Sequence, residues 1–308
     1  MEHKRIVPVL MCIVALACVI LASVLVSVSM GLNRFPESSV TDIAAYLAED
    51  GIYVDPGLIS ARRERGTVYV CDSPDYNRTV AELLDGNTVS AAYVIPDGEV
   101  MIMNGGARLE FGSSFTFRYF KNGIASASPA IFELSGMAAQ ISESKKEDIR
   151  EAAVRFLERG SREFDELNVE IALDAVWENE GRYYALCSRS IDGIEITGNL
   201  VLCTVEGDTV TEAYGTWCFL TPAETYSAQL SDLLNILFNV KKDLRDRADD
   251  PENPDGVPVT ITAIELCYSL YFYGAEESFC LIPCWQIVTD TAGKLIYNAI
   301  DSTLYTVK

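Results

Sequence analysis

Apolar and polar positions are distributed very unevenly along this chain. From Ile6 to Leu32 there is no charged side chain. At about 1.5 Å rise per residue, a helix of that length crosses a hydrocarbon core of about 30 Å. The run predicts a transmembrane helix over 6–32 behind a short tail, 1–5. Beyond it the pattern becomes amphipathic. Val40, Ile43 and Leu47 recur at helical spacing after Ser39-Val40-Thr41-Asp42, and Gly51 closes that helix. Residues 67–71 read as a strand, and 80–84 as a helix stopped by Asp85-Gly86. Strand-like runs follow at 92–95 and 100–103, then the turn Asn104-Gly105-Gly106. Leu109, Phe111, Phe115, Phe117 and Tyr119 alternate with Arg108, Glu110, Ser114, Thr116 and Arg118. That period of two predicts one half-buried antiparallel strand.

Residues 126–142 are rich in Ser, Pro, Gly and small side chains, which places a domain boundary near 138. Ser144-Lys145-Lys146-Glu147 is a capping box, and the helix behind it carries Ile149, Ala153, Phe156 and Leu157 on one face, ending near Gly160. Strands are predicted at 170–177, 182–189, 194–205 and 210–219. Thr221-Pro222-Ala223-Glu224 predicts a second helix, running to about residue 248. Its apolar face is Tyr226, Leu230, Leu233, Leu234, Leu237, Val240 and Leu244. Strands at 257–264, 266–273, 279–289 and 295–299 complete the chain. The order predicts an α+β fold, with antiparallel sheets each packed by helices and a repeated unit of one helix followed by three or four strands. The expected divisions are 36–138, 139–220 and 221–308.

Charge sets the orientation. His3-Lys4-Arg5 precede the run and only Arg34 follows it closely. The basic excess keeps the N-terminus in the cytoplasm and sends the C-terminal region outside, a single-pass protein of the cell membrane. Ser27-Val28-Ser29 fits a signal-peptidase site, but a signal's apolar region spans only about 7–15 residues. Ala15-Leu16-Ala17-Cys18 fits a lipoprotein signal, yet the chain stays apolar to Val28. An uncleaved anchor is the better fit. The chain carries 45 acidic and 24 basic residues, a net charge of −21. Only Glu2, Lys4, Arg5 and Arg34 fall before residue 35, so the outer region holds nearly all of it. Such a surface repels nucleic acid.

The chemistry is sparse. The one histidine is His3, which removes Ser-His-Asp catalysis, Cys-His catalysis and histidine zinc sites from the outer region. No catalytic set, metal site or cofactor is assigned. Carboxylate pairs such as Asp192 and Glu195 are uninformative in so acidic a chain. The acidic stretch 249–256 puts Pro251 and Thr262 where a calcium loop needs ligands, so it reads as a solvated linker. Seven cysteines follow the apolar run, mostly within strand-like segments, where a thiol behaves as a small hydrophobe. Free thiols are the default, with one or two disulfides open in an oxidising compartment. Within the run, Ala15, Cys18, Ala22, Leu25 and Ser29 share one helical stripe. Small residues let a second helix approach closely in lipid, which makes this stripe a candidate packing face. An ordinary anchor has the same composition.

The last part of the chain is distinctive. Residues 194–202 lead into Val210-Thr211-Glu212-Ala213-Tyr214-Gly215-Thr216-Trp217. Later come Ile264-Glu265-Leu266-Cys267-Tyr268, Leu281-Ile282-Pro283-Cys284-Trp285-Gln286-Ile287 and Tyr297-Asn298-Ala299. These residues resemble the YycH/YycI family, membrane-anchored regulators of the YycG (WalK) sensor kinase of low-GC Gram-positive bacteria. PepSY-type domains share the general pattern. The length is more like YycI. Cys284 between Pro283 and Trp285 departs from the family, as does the cysteine count. The resemblance implies no catalytic residues. It implies a two-component regulatory adaptor whose span packs against a membrane histidine kinase and whose outer region pairs with a sister YycH-like protein. An exported PepSY-like binding or protease-inhibitory module is the alternative expectation, and an envelope hydrolase using carboxylates the third.

Overall fold

The structure, a computed structural model, describes residues 36–60, 64–72, 77–124, 141–161, 167–218, 220–248, 258–272 and 278–305. The apolar run, the expected boundary near 138 and the linker at 249–256 lie outside these residues. Among those described, four helices and fifteen strands make a mixed α+β architecture dominated by antiparallel sheet.

The elements are α1 (Glu37–Ala48), β1 (Ile52–Val54), β2 (Arg65–Asp72), α2 (Asn77–Asp85), β3 (Val89–Ile95), β4 (Gly98–Met103), β5 (Arg108–Gly112) and β6 (Thr116–Phe120). Then come α3 (Glu143–Ser161), β7 (Val169–Asn179), β8 (Arg182–Ile191), β9 (Ile194–Glu206), β10 (Thr209–Thr216) and β11 (Pro222–Gln229). The last are α4 (Leu233–Ala248), β12 (Val259–Phe272), β13 (Ser278–Thr289), β14 (Lys294–Asn298) and β15 (Leu304–Tyr305).

Two layers result. In the first, the strands run β3-β4-β5-β6-β10-β9-β8-β7, all antiparallel. Helices α2 and α3 lie on one face. Val80, Ala81 and Leu84 of α2 and Ile149, Ala153, Phe156 and Leu157 of α3 pack there on Met101, Leu109, Cys187, Val201 and Cys203. Gly160 permits the contact between the two helices, since a Cβ there would lie 2.6 Å from Leu84 Cδ2.

The second layer is assembled from both ends of the described chain. β13 pairs with β12 along its length, with β2 over Ser278–Leu281, and with β14 over Cys284–Val288. β12 borders β1 at Val259–Ile261 and β9 at Tyr268 and Ser269, both parallel. β11 adds to β2. Helices α1 and α4 cover one face, burying Val40, Ile43, Leu47, Leu233, Leu237, Val240 and Leu244 against Trp285, Ile287, Leu295 and Tyr297. Pro283 sits inside a central strand, where proline is normally excluded. It falls in the gap after β2 ends its pairing at Leu281 and before β14 begins at Cys284, so no ladder partner loses a donor.

Four sequence expectations change. The helix expected from Thr221 begins only at Leu233, and Pro222–Gln229 is strand β11. The capping signal is local and the ladder to β2 is not. Tertiary pairing wins, and a proline at the first residue of an exposed edge strand costs nothing. Tyr226 consequently lies half exposed rather than on a helix face. The single strand expected over 108–119 is a hairpin, β5 and β6, turning at Ser113–Phe115 with Ser114 and Phe115 at positive φ. The alternation survived because Leu109 faces Tyr119 and Phe111 faces Phe117 across the hairpin. The two strands expected over 257–273 are one, β12, with a register irregularity between Ile261 and Ala263. The cap of α3 is Ser142 and not Ser144, which lies inside the helix; Ser142 Oγ accepts from the Lys145 N–H at 3.3 Å.

Candidate functional site

No helix among the described residues is long and apolar enough to cross a membrane. The candidate packing face, Ala15, Cys18, Ala22, Leu25 and Ser29, lies outside them. The described residues offer two surfaces and one buried polar junction.

The first surface is β3, at one end of the first layer. Among the described residues it pairs only with β4, which leaves its other edge without a partner strand, though the Val89 N–H donates to Glu82 Oε1 at 3.1 Å. Tyr93, Val94 and Ile95 are 59%, 87% and 40% exposed. No charged residue occurs from Val89 to Pro96. At the opposite end of the same sheet, β7 carries Glu170, Asp174 and Glu178 along its edge, a usual guard against strand addition. β3 lacks that guard apart from a register shift between Val89 and Ala91. An edge of this kind accepts an extended strand from a partner, with backbone hydrogen bonds for affinity and Tyr93 and Ile95 for side-chain contact. Sequence reasoning placed a strand here but passed over its signal, a charge-free segment in a chain whose residues are 22% charged.

The second surface lies over α1 and α4. Tyr46 and Phe238, both about half exposed, meet with ring centroids 5.3 Å apart. Beneath them Lys241 is 5% exposed. Its Nζ donates to the Tyr46 carbonyl at 2.6 Å, lies 3.1 Å from Asp50 Oδ2 and sits 3.2 Å from the Tyr46 ring centroid. Every donor of that ammonium is used, which is how a lysine stands burial. The cluster clamps the end of α1 to α4. On the other side of α4, Asp243 Oδ2 accepts from the Tyr297 hydroxyl at 2.8 Å and fixes the helix to β14.

The buried junction lies where the layers meet. β8 and β9 pair at Ser188 with Leu200 and resume at Ser190 with Glu195, so β9 places four residues opposite Arg189 alone. In that excursion Ile196 and Thr197 pair with Tyr268 and Ser269 of β12, and Gly198, at φ +79°, turns the strand back. The Arg189 side chain is fully buried there. Its Nη1 donates to the Cys218 carbonyl, and its guanidinium stacks 4.4 Å from the Trp217 ring centroid. Asn199 Nδ2 donates to Cys218 Sγ at 2.9 Å. This cluster ties β8 and β9 to the segment after β10, beside the point where β9 borders β12.

Backbone hydrogen bonding from the Thr260 N–H, 2.8 Å from Oδ1, holds the exposed Asp290 carboxyl below the usual carboxylate range and ties the end of β13 to β12. Burial pushes the Cys267 thiol up to about 11 and the Cys284 thiol up to about 12. Burial, with Asp85 beside it, also raises the Tyr119 hydroxyl, which donates to Asp85 Oδ1 at 3.1 Å and ties α2 to β6. Among the described residues no three His, Cys, Asp or Glu side chains converge to hold a metal ion.

Among solved structures, the chain is similar to an uncharacterized protein from Eubacterium rectale, with a TM-score of 0.48 and 12% identity over 83% of this chain and 90% of that one. No family model matches the chain, and no curated protein does.

Proposed function

We propose that this chain is a membrane-anchored extracytoplasmic regulator of a sensor histidine kinase, an adaptor in cell-envelope homeostasis that works by contact. The observation that carries the reading is the charge-free run from Ile6 to Leu32, followed by an acidic region with no histidine. The C-terminal residues that resemble the YycH/YycI family support it, with a sister YycH-like ectodomain as second partner. We read α3 with β7–β10 and α4 with β12–β15 as two copies of one unit, expected over 139–220 and 221–308. In both, each strand pairs with the next.

The kinase contact is assigned to the stripe Ala15, Cys18, Ala22, Leu25 and Ser29. In copurification of the full-length chain with the kinase, Ala15→Leu, Ala22→Leu and Ser29→Leu together are expected to lower capture severalfold. Unchanged capture removes the stripe. Failure of the unaltered chain to capture the kinase removes the adaptor reading.

The exposed β3 edge favours a second reading, an exported PepSY-like binding or protease-inhibitory module that works by strand addition. In that case the region from residue 36 onward keeps its full activity when cut free of the run. The adaptor reading expects most of the activity to be lost.

A further inference from the structure

Two pairs of cysteines meet in the sheets, and strand register makes them unlike. Cys267 of β12 and Cys284 of β13 are directly opposed. Opposed Cα atoms in an antiparallel ladder lie about 4.5–5.5 Å apart, inside the range of about 4.4–6.8 Å that a disulfide spans. Both side chains leave the same face, into a cluster with Val68, Cys280, Ile282 and Ile296. Cys187 and Cys203 also touch, thiol to thiol. Their register differs, since Cys187 faces Val201 and Cys203 faces Ala185. The two are diagonal, about 7–8 Å between Cα atoms, which a disulfide does not bridge without moving the backbone. The other strand cysteines face no thiol. Cys71 faces Phe279 and Pro222, and Cys280 faces Tyr271 and Val70.

We propose that Cys267 and Cys284 are a disulfide-forming site, closing under oxidising conditions to one cross-strand bond that staples β12 to β13. The oxidant is a disulfide, of a small thiol or of a thiol oxidase. One cysteine thiolate attacks it, forming a mixed disulfide and releasing one thiol. The second cysteine thiolate then attacks the mixed disulfide at the protein sulfur. The Cys267–Cys284 bond forms, the mixed bond breaks and the second thiol leaves. Two electrons and two protons pass from the protein to the oxidant, which ends as two thiols.

Burial governs when this happens. Both thiols titrate well above neutral, so in the folded protein the attacking thiolate is scarce. The Ser269 hydroxyl and the Ala299 backbone oppose the shift at Cys284, which Cys267 and Asp301 raise further; the Thr197 hydroxyl and then Lys294 oppose it at Cys267, which Glu195 and Glu265 raise further. Tyr305 of β15 lies against Cys284. The sign is that closure speeds up as pH rises toward the thiol values. It is also faster during refolding than after it, because opening the β12–β13 pair exposes the sulfurs.

The test uses the full-length chain, reduced and held in detergent. It is treated with oxidised glutathione, both folded and during refolding, then acid-quenched, unfolded, alkylated and mapped by mass spectrometry. The expected result is a product two hydrogens lighter with one cross-link, Cys267 to Cys284. Cys267→Ala and Cys284→Ala each abolish it, and Cys187→Ala leaves it intact. In the folded protein the closure rate rises about tenfold per pH unit from about pH 7 to about pH 9, following the thiolate fraction. A Cys187–Cys203 cross-link in its place, or full alkylation of both Cys267 and Cys284 after refolding with oxidant, overturns the proposal. The unaltered chain decides between these outcomes even if a variant fails to fold.

Discussion

The α3 meander and the α4 meander use the same parts in different ways. In the first, β8 and β9 pair with their sequence neighbours along most of their length, and the sheet is extended by the β3–β6 meander through β6 and β10. In the second, the two central strands divide their edges among distant partners. β13 is shared by β2 and β14, and β12 by β1 and β9. The first sheet is largely local. The second has a local meander, β12–β15, but is complete only when residues from 52–72 join residues from 222–305. Its formation therefore carries the loop-closure cost that long-range pairing imposes, and it should form last.

The largest expected effect strikes the first layer. Gly215, at φ +156°, has its Cβ direction 2.0 Å from the Leu200 carbonyl oxygen. Gly215→Val is expected to cost about 3 kcal/mol or more, read by chemical denaturation. The informative readout is regional hydrogen exchange. Ile191 and Ile196 are buried with Tyr69, Tyr268, Phe279 and Leu281 in one cluster across the seam. Protection in β12–β14 should therefore fall together with that in β8–β10. Loss confined to the first layer would show that the layers unfold separately.

Gly66→Val strikes the second layer. A Cβ there lies 2.8 Å from both Pro283 Cγ and Leu230 Cδ2, and overpacking of this kind costs about 2–3 kcal/mol. Refolding should slow less than unfolding accelerates, because β2 docks late. Equal slowing of refolding would place β2 in the early structure. Tyr297→Phe removes the 2.8 Å hydrogen bond to Asp243 and is expected to cost about 1.5 kcal/mol in a thermal melt. The smallest effect is Ser142→Ala. Losing the α3 cap costs about 0.5–1 kcal/mol, with fraying of the first turn visible by exchange.

The same contrast explains what the sequence made legible. Most of the first layer was readable because its signals are local, the β5–β6 turn being the exception. Glu180-Gly181 and Asp192-Gly193 turns, both at positive φ, mark its hairpins, and Ile149, Ala153, Phe156 and Leu157 mark its helix. The second layer was readable only in pieces. Thr221-Pro222-Ala223-Glu224 satisfies a helix start and an edge strand alike, and only β2 decides between them. The thiol pair was invisible for the same reason, since opposing Cys267 to Cys284 depends on a register that neither strand encodes alone. The exposed edge of β3 was visible in principle, in the absence of charge from Val89 to Pro96. The stripe Ala15, Cys18, Ala22, Leu25 and Ser29 is a reading of sequence alone.

The lysine clamp between α1 and α4 also sets a mechanical load path. Force entering at Pro36 runs along α1 to Tyr46 and Asp50, and Lys241 passes it to α4. From there Asp243 and Tyr297 hand it to β14, and β1 shares it with β12. A tug at the start of the described chain is thus felt first near its end.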